Sequence, residues 1–143
     1  MKVSIIEPVG GHGGLDYYDS SLCASLSQNG IHPILFTSDE TEIRDNSLYL
    51  TKKYFIGIYG TQYRVIRGLK YIQCLLRSLY YSKKVGSQLI HYHFFHFTFI
   101  ELLTIVLSKL YGFKIVITVH DVKSFYGKWD NPIIKNMILK SAL

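Results

Sequence analysis

The sequence predicts a doubly wound α/β domain built on a mostly parallel sheet. Short β-branched runs alternate with helical patterns along the whole chain. Several of these runs are apolar end to end rather than alternating, which marks strands covered on both faces and therefore parallel. A glycine-rich turn, Gly10-Gly11-His12-Gly13-Gly14, follows the first run, where a strand must give way sharply to a helix. At 143 residues the chain is long enough for one domain, residues 1–143, with a real core. Right-handed crossovers then dictate the doubly wound arrangement.

The elements follow in order. Lys2 to Glu7 reads as the first strand, and Asp16 to Gln28 as a helix. Tyr18, Leu22 and Leu26 recur four apart and predict its buried stripe. Asn29-Gly30 ends it. Pro33 to Thr37 is a second strand, and the polar stretch Ser38 to Asn46 a loop. A third strand is expected within Leu48–Tyr59, at Tyr54 to Ile58. Thr61 to Lys84 is the longest helical pattern, with Val65, Ile66, Leu69, Ile72, Leu76 and Leu79 on one expected buried face. Gln88 to His93 is a fourth strand, Thr98 to Leu110 an apolar helix and Lys114 to Val119 a fifth strand. Pro132 opens a last helix, after which a sixth strand is expected but missing.

Composition narrows the function classes. The two cysteines, Cys23 and Cys74, fall on or near apolar helix faces and read as small core residues, not a metal or redox pair. Met1 to Pro8 is too short and too interrupted for a signal peptide. The longest apolar stretch, Phe94 to Tyr111, carries Glu101 and Lys109, and a spanning helix needs about 20 apolar residues. A cytoplasmic domain is expected. Charge is unevenly spread: residues 1–50 hold two basic groups against seven acids, whereas residues 51–100 hold eight basic groups and no acid. Within the long helix Tyr63, Arg67, Lys70, Arg77, Tyr81 and Lys84 recur at three- and four-residue steps. They read as a solvated face or as a surface for anionic lipid headgroups at the inner face of a membrane. No nucleic-acid-binding motif accompanies them, so no nucleic acid partner is expected.

In such sheets ligands bind beyond the carboxyl ends of the strands, where the strand order reverses. Those ends hold Gly10 to Gly14, then His91, His93 and His96, then His120-Asp121. The strict dinucleotide pattern fails, since the glycine it needs is Asp16, and no Walker lysine follows. The loop still offers close backbone approach and a helix N-terminus, which suit a phosphate or a sugar hydroxyl. Asp16, in the first turn, reads as stabilising that terminus. His91 and His93 point to one side of a strand. With His96 they raise the thought of zinc, but no acidic or cysteine ligand lies nearby in sequence, so no metal is expected. His120 is placed to bond a sugar hydroxyl or phosphate, and Asp121 to orient it or act as a base.

The glycine loop, Tyr18-Asp19-x-x-Leu22, Leu26 and Gly30-Ile31-His32-Pro33-Ile34-Leu35-Phe36-Thr37-Ser38 together resemble the opening of family 4 (group 1) GT-B glycosyltransferases. Leu89-Ile90-His91-Tyr92-His93 resembles that family's fourth strand, and Lys114 to Asp121 its "VVxTxHD" strand and loop. The resemblance spans nearly the whole chain. It departs from the family at Ser87 and Gln88, where an acidic residue is usual. It implies a Rossmann-like N-terminal acceptor domain, incomplete here, whose donor-binding C-terminal partner is absent. It further implies a retaining, metal-independent transfer from a nucleotide sugar to a polysaccharide or lipid-linked acceptor, with no bound cofactor. Gly11, His12, Gly13 and Gly14 would flank the donor phosphates, His93 would line the acceptor cleft, and His120 would sit near the reacting sugar. Arg67, Lys70, Arg77 and Lys84 would face a membrane or a partner. The chain is expected to be inactive alone, needing a second, donor-domain chain or continuation. Two other readings stand beside this one: a non-catalytic, membrane- or partner-recruiting subunit of a split glycosyltransferase, and half of a related enzyme such as a sugar-nucleotide epimerase.

Overall fold

A computed structural model describes residues 1–11, 14–42, 48–120 and 131–142. The elements run β1 (Lys2–Glu7), α1 (Leu15–Gln28), β2 (His32–Ser38), β3 (Leu50–Phe55), α2 (Arg64–Lys84), β4 (Leu89–Phe94), α3 (Phe99–Leu110), β5 (Lys114–Val119) and α4 (Pro132–Ala142). The five strands form one sheet in the order β3-β2-β1-β4-β5, and every pairing is parallel. β1 is central. The chain steps from it to β2 on one side and later returns to β4 on the other, so the order reverses between β1 and β4.

The alternation of side chains along the strands divides the sheet into two unequal faces. Ile6, Phe36, Ile90, Tyr92 and Phe94 join Phe55, Leu75, Leu79, Phe97, Ile105 and Ile138 in the larger core, beneath α2, α3 and α4. Val3, Ile5, Leu35 and Cys23 form the smaller one beneath α1. Leu22 and Leu26 of α1 and Leu89 of β4 pack against its edge. Cys23 is buried and Cys74 half-buried, both as free thiols. Two side-chain caps help fix helix starts. Thr98 Oγ1 accepts from Ile100 N while Glu101 accepts from Thr98 N at 2.8 Å, and Asn131 Oδ1 accepts from Ile133 N at 2.9 Å.

Four expectations are corrected. The third strand lies earlier, at Leu50–Phe55. It is an edge strand, where Lys52 and Lys53 are tolerated on a half-exposed ribbon. The buried row of α1 is Leu15, Asp19 and Cys23, and Tyr18 is exposed on its flank. Coverage of the second face is partial: α1 lies over β1 and β2, while Lys114 and Val116 of β5 are exposed on that side.

The fourth correction concerns α2. Its core-facing row is Leu75, Ser78, Leu79 and Ser82, with Tyr71 and Cys74 beside it. The small serines let the helix come close, and their hydroxyls donate to backbone carbonyls one turn back, Cys74 O at 2.9 Å and Ser78 O at 2.8 Å. Val65, Ile66, Leu69 and Leu76, expected inside, are therefore outside, at 74%, 44%, 67% and 36% exposure. The basic row turns toward the edge of the sheet instead. Arg67 and Lys70 are half-buried, and the Arg77 guanidinium lies 4.3 Å from the centre of the Tyr54 ring.

Candidate functional site at the strand-order reversal

The glycine loop is held from below by a carboxylate. Glu7, the last residue of β1, is fully buried and accepts from Val9 N at 2.9 Å and from Gly10 N at 2.7 Å. Burial outweighs these two bonds and pushes its pKa up to about 7. From the side, the Tyr59 hydroxyl donates to Pro8 O at 3.1 Å. Gly10 adopts φ +70°, and a Cβ there would stand 2.1 Å from Ser38 Oγ and 2.8 Å from Thr41 Oγ1. Gly11 is nearly as confined, its Cβ position lying 2.7 Å from Glu40 O. Only glycine admits this approach of the loop to β2. Gly14 caps α1 at φ 77°, a glycine with no side chain to close the helix start. The Tyr17 amide donates to Asp16 Oδ1 at 3.0 Å, which places Asp16 as expected in that turn. His12 and Gly13 lie outside the described residues.

Across the β1–β4 reversal stands a cluster of rings. His91 and His93 project to the same side of β4, with centroids 4.8 Å apart. His120, just past β5, lies 5.1 Å from His93 and stacks on Phe95 at 4.7 Å. The Tyr18 ring meets both, edge-on, at 5.3 Å to His93 and 5.5 Å to His120. The His120 amide donates to Phe94 O at 3.1 Å, which extends the β4–β5 ladder and fixes the start of the loop. His91 is engaged with Thr118 Oγ1 through Nε2 at 2.8 Å. His93 Nδ1 faces Asp19 Oδ1 of α1 at 3.3 Å, with both side chains essentially inaccessible.

The electrostatics of this cluster favour uncharged forms. Burial, then the neighbouring Glu7 and Asp16, raise Asp19 to about 8. Burial, then His91 and His120, lower His93 to about 3. His91 is lowered by burial and by His120. Both ring nitrogens of His93, Asp19 Oδ1 and His120 Nε2 are buried without a hydrogen-bond partner among the described residues. The His93 side chain is closed off from solvent, whereas His120 is half-buried and leaves part of its ring open to a polyhydroxylated ligand, whose hydroxyls both donate and accept.

The sheet order with a glycine loop and a histidine pair at its reversal invites comparison with solved structures. The chain matches sucrose-phosphate synthase from Thermosynechococcus elongatus at TM-score 0.67 and 17% identity, over 97% of this chain and 40% of that one. It matches MurG from Acinetobacter baumannii at TM-score 0.57 and 10% identity, over 99% of this chain and 39% of that one. The chain has a Rossmann-like fold of the GT-B type. It spans about two fifths of the length of these two GT-B glycosyltransferases. No protein-family model and no curated protein matches it.

Within this GT-B fold Gly11 and Gly14 follow the end of β1, His93 lies near the end of β4 and His120 just past β5, all on the carboxyl edge of the sheet. Asp121 lies outside the described residues, and His96 is exposed. Among the described residues no group of three or more His, Cys, Asp or Glu side chains is placed to hold a metal ion. Arg67, Lys70, Arg77 and Lys84 belong to α2, on the opposite face of the sheet from α1. Among the described residues no helix is long and apolar enough to cross a membrane.

Sequence reasoning missed Glu7, Asp19 and Phe95 as parts of the site. Asp19 left a signal: it stands four residues after Leu15 and four before Cys23, a carboxyl on the buried row of a helix. Phe95 left none, because an aromatic residue after an apolar strand is commonplace in cores.

Proposed function

We propose that the chain is the acceptor-side, N-terminal unit of a GT-B glycosyltransferase, moving a sugar from a nucleotide-sugar donor to a hydroxyl of a polysaccharide or lipid-linked acceptor. The observation that carries this reading is that the glycine loop, after β1, and the adjacent rings of His93 and His120, at the ends of β4 and β5, share the carboxyl edge of the sheet at its strand-order reversal. The family resemblance and the GT-B structural matches support it. In this reading the acceptor hydroxyl lies against His120, with His93 packed behind it. Its oxygen attacks the anomeric carbon, the bond from that carbon to the donor phosphate breaks, and the nucleoside diphosphate departs. Gly11, His12, Gly13 and Gly14 approach the diphosphate through backbone amides at the head of α1. His120 receives or orients the acceptor proton, with Asp121 beside it in the chain. The donor is held by a second Rossmann-like unit, in a continuation of the chain or in a partner chain.

The test is sugar transfer by the chain together with its donor-binding unit. His120→Ala is expected to lower kcat by about 100-fold or more, the usual scale for losing a general acid–base group, with little change in donor KM. Transfer within twofold of the parent would reject the role given to His120. Turnover by the isolated chain would reject the need for a second unit.

A membrane-facing role for α2 belongs to the same reading. Val65, Leu69, Leu76 and Tyr80 form an exposed apolar row, while Lys70, Arg77 and Lys84 flank it. This is the pattern of a helix lying at an anionic bilayer surface, which would bring the unit to the cytoplasmic leaflet and to a lipid-linked acceptor. Vesicles containing phosphatidylserine are expected to float with the chain at low salt. Leu69→Glu with Tyr80→Glu is expected to abolish flotation, and Lys70→Glu with Lys84→Glu to weaken it and flatten its salt dependence. Absence of binding by the parent chain at low salt rejects this role. The purely recruiting, non-catalytic alternative leaves the histidine cluster without a use.

A further inference from the structure

A buried carboxyl without a hydrogen-bond partner is costly, and α1 carries one on its core-facing row. Asp19 is 1% exposed, and its Oδ1 has His93 Nδ1 opposite it at 3.3 Å. His93 is itself 4% exposed, with neither ring nitrogen bonded to another described residue. The groups facing the pair are Glu7 from β1, Asp16, Tyr18 and Cys23 from α1, His91 from β4 and His120 after β5. These neighbours, with burial, drive both partners toward neutrality, so the contact is a carboxylic acid against a neutral imidazole rather than an ion pair.

A neutral imidazole has one N–H and one lone pair, and the group that meets Nδ1 decides which nitrogen is which. While Asp19 is protonated, its O–H is directed at Nδ1, and the ring proton sits on Nε2, which then donates. When Asp19 loses that proton to solvent, the carboxylate draws the ring N–H to Nδ1, and Nε2 becomes an acceptor. One proton leaves, and the pair passes from neutral to singly negative.

We propose that Asp19 is a positioning residue for His93: the proton on its carboxyl decides whether the buried Nε2 presents a hydrogen or a lone pair toward the His120 ring, whose centroid lies 5.1 Å from that of His93. The His93 side chain is closed off from solvent, so its tautomer reaches a ligand through the half-buried His120. That last link rests on the acceptor-site reading above; the coupling of carboxyl to tautomer does not.

The test is two-bond 1H–15N correlation NMR of the imidazoles in the 15N-labelled chain, from about pH 5 to about pH 9.5. The His93 ring is expected to stay neutral throughout. It should carry its proton on Nε2 at low pH and shift it to Nδ1 with a midpoint near the Asp19 value of about 8. Asp19→Asn should remove that step and hold one tautomer across the range. The idea is overturned by a His93 that protonates with an ordinary midpoint near 6.5, or by a tautomer step that survives Asp19→Asn. Should the variant not fold, the 13C shift of the Asp19 carboxyl in the parent chain decides. A carboxyl that stays ionised over the whole range overturns the proposal, and one that titrates together with the His93 tautomer supports it. Neither readout needs a donor sugar, so its outcome is separate from that of the transfer assay.

Discussion

Gly10→Ala is expected to cost about 2–4 kcal/mol of folding stability, a large share of the total for a domain of this size. Two penalties add. The residue sits at φ +70°, where a Cβ is strained by about 1 kcal/mol or more. The new methyl would also enter space filled by Ser38 Oγ, 2.1 Å away, and Thr41 Oγ1, 2.8 Å away. Ser38 is wholly buried, and its short side chain has no long arm to swing clear. Either the loop lifts from β2 or the end of β2 shifts. Both disturb the Val9 and Gly10 amides bonded to Glu7. Gly14→Ala is the control: it shares a positive φ, 77°, but meets nothing within 4 Å, and should cost only about 1 kcal/mol. Urea unfolding of the two variants beside the parent measures the difference. Equal losses would mean that the confined space around Gly10 has no energetic weight.

Stability is expected to fall as pH rises from about 6 to 8, and Glu7→Gln to remove part of that fall, Asp19 supplying the rest. The sign follows from linkage. Glu7 titrates at about 7 in the folded chain against an ordinary 4.5, so the folded state binds this proton more tightly than the unfolded one. Its stabilising effect is complete below about 4.5 and is lost as pH rises through 7. A shift of this size is on the order of 3 kcal/mol. Asp19 acts in the same direction over 3.8 to about 8. His93 acts oppositely: its lowered pKa removes stability as pH falls from 6.5 toward 3. Between about 4.5 and 6.5 His93 offsets one of the two acids, so stability already falls gently there, and above 6.5 only the acids act. Gln keeps the shape of Glu7 and one carbonyl acceptor but has no charge to bury. Denaturation midpoints at about pH 6 and about pH 8 test this. A parent chain as stable at the higher pH as at the lower, or a Glu7→Gln variant with an undiminished fall, would contradict it.

Much of the architecture was legible because it rests on local chemistry. Lys114–Val119 is a β-branched run preceded by the turn at Gly112, and the fifth strand has those same bounds. Gly10 and Gly14 mark positive φ, which no other residue type in this chain adopts among the described residues. His91 and His93 share a side of β4 because strand side chains alternate. The third strand was misplaced because Lys52 and Lys53 look wrong for a strand until its place at the sheet edge is known. The α2 face was misassigned because two serines satisfied by their own helix pack as small apolar residues do, and periodicity counts them as polar.

The sequence by itself determined the alternation of strands and helices, the parallel sheet, the glycine turn and the presence of His93 and His120 at strand ends. These follow from periods of two and 3.6 residues and from backbone sterics, which act over a few positions. Only the tertiary structure decided that Asp19 meets His93, that Tyr18 and Phe95 frame His120, and that Glu7 anchors the glycine loop. The ring contacts and the Asp19–His93 pair join residues far apart in sequence, and those of Asp19 and Tyr18 depend on how α1 rotates over the sheet. It also decided the outward face of α2. That rotation is set by which side chains pack closest, a contest between whole surfaces that no local pattern records.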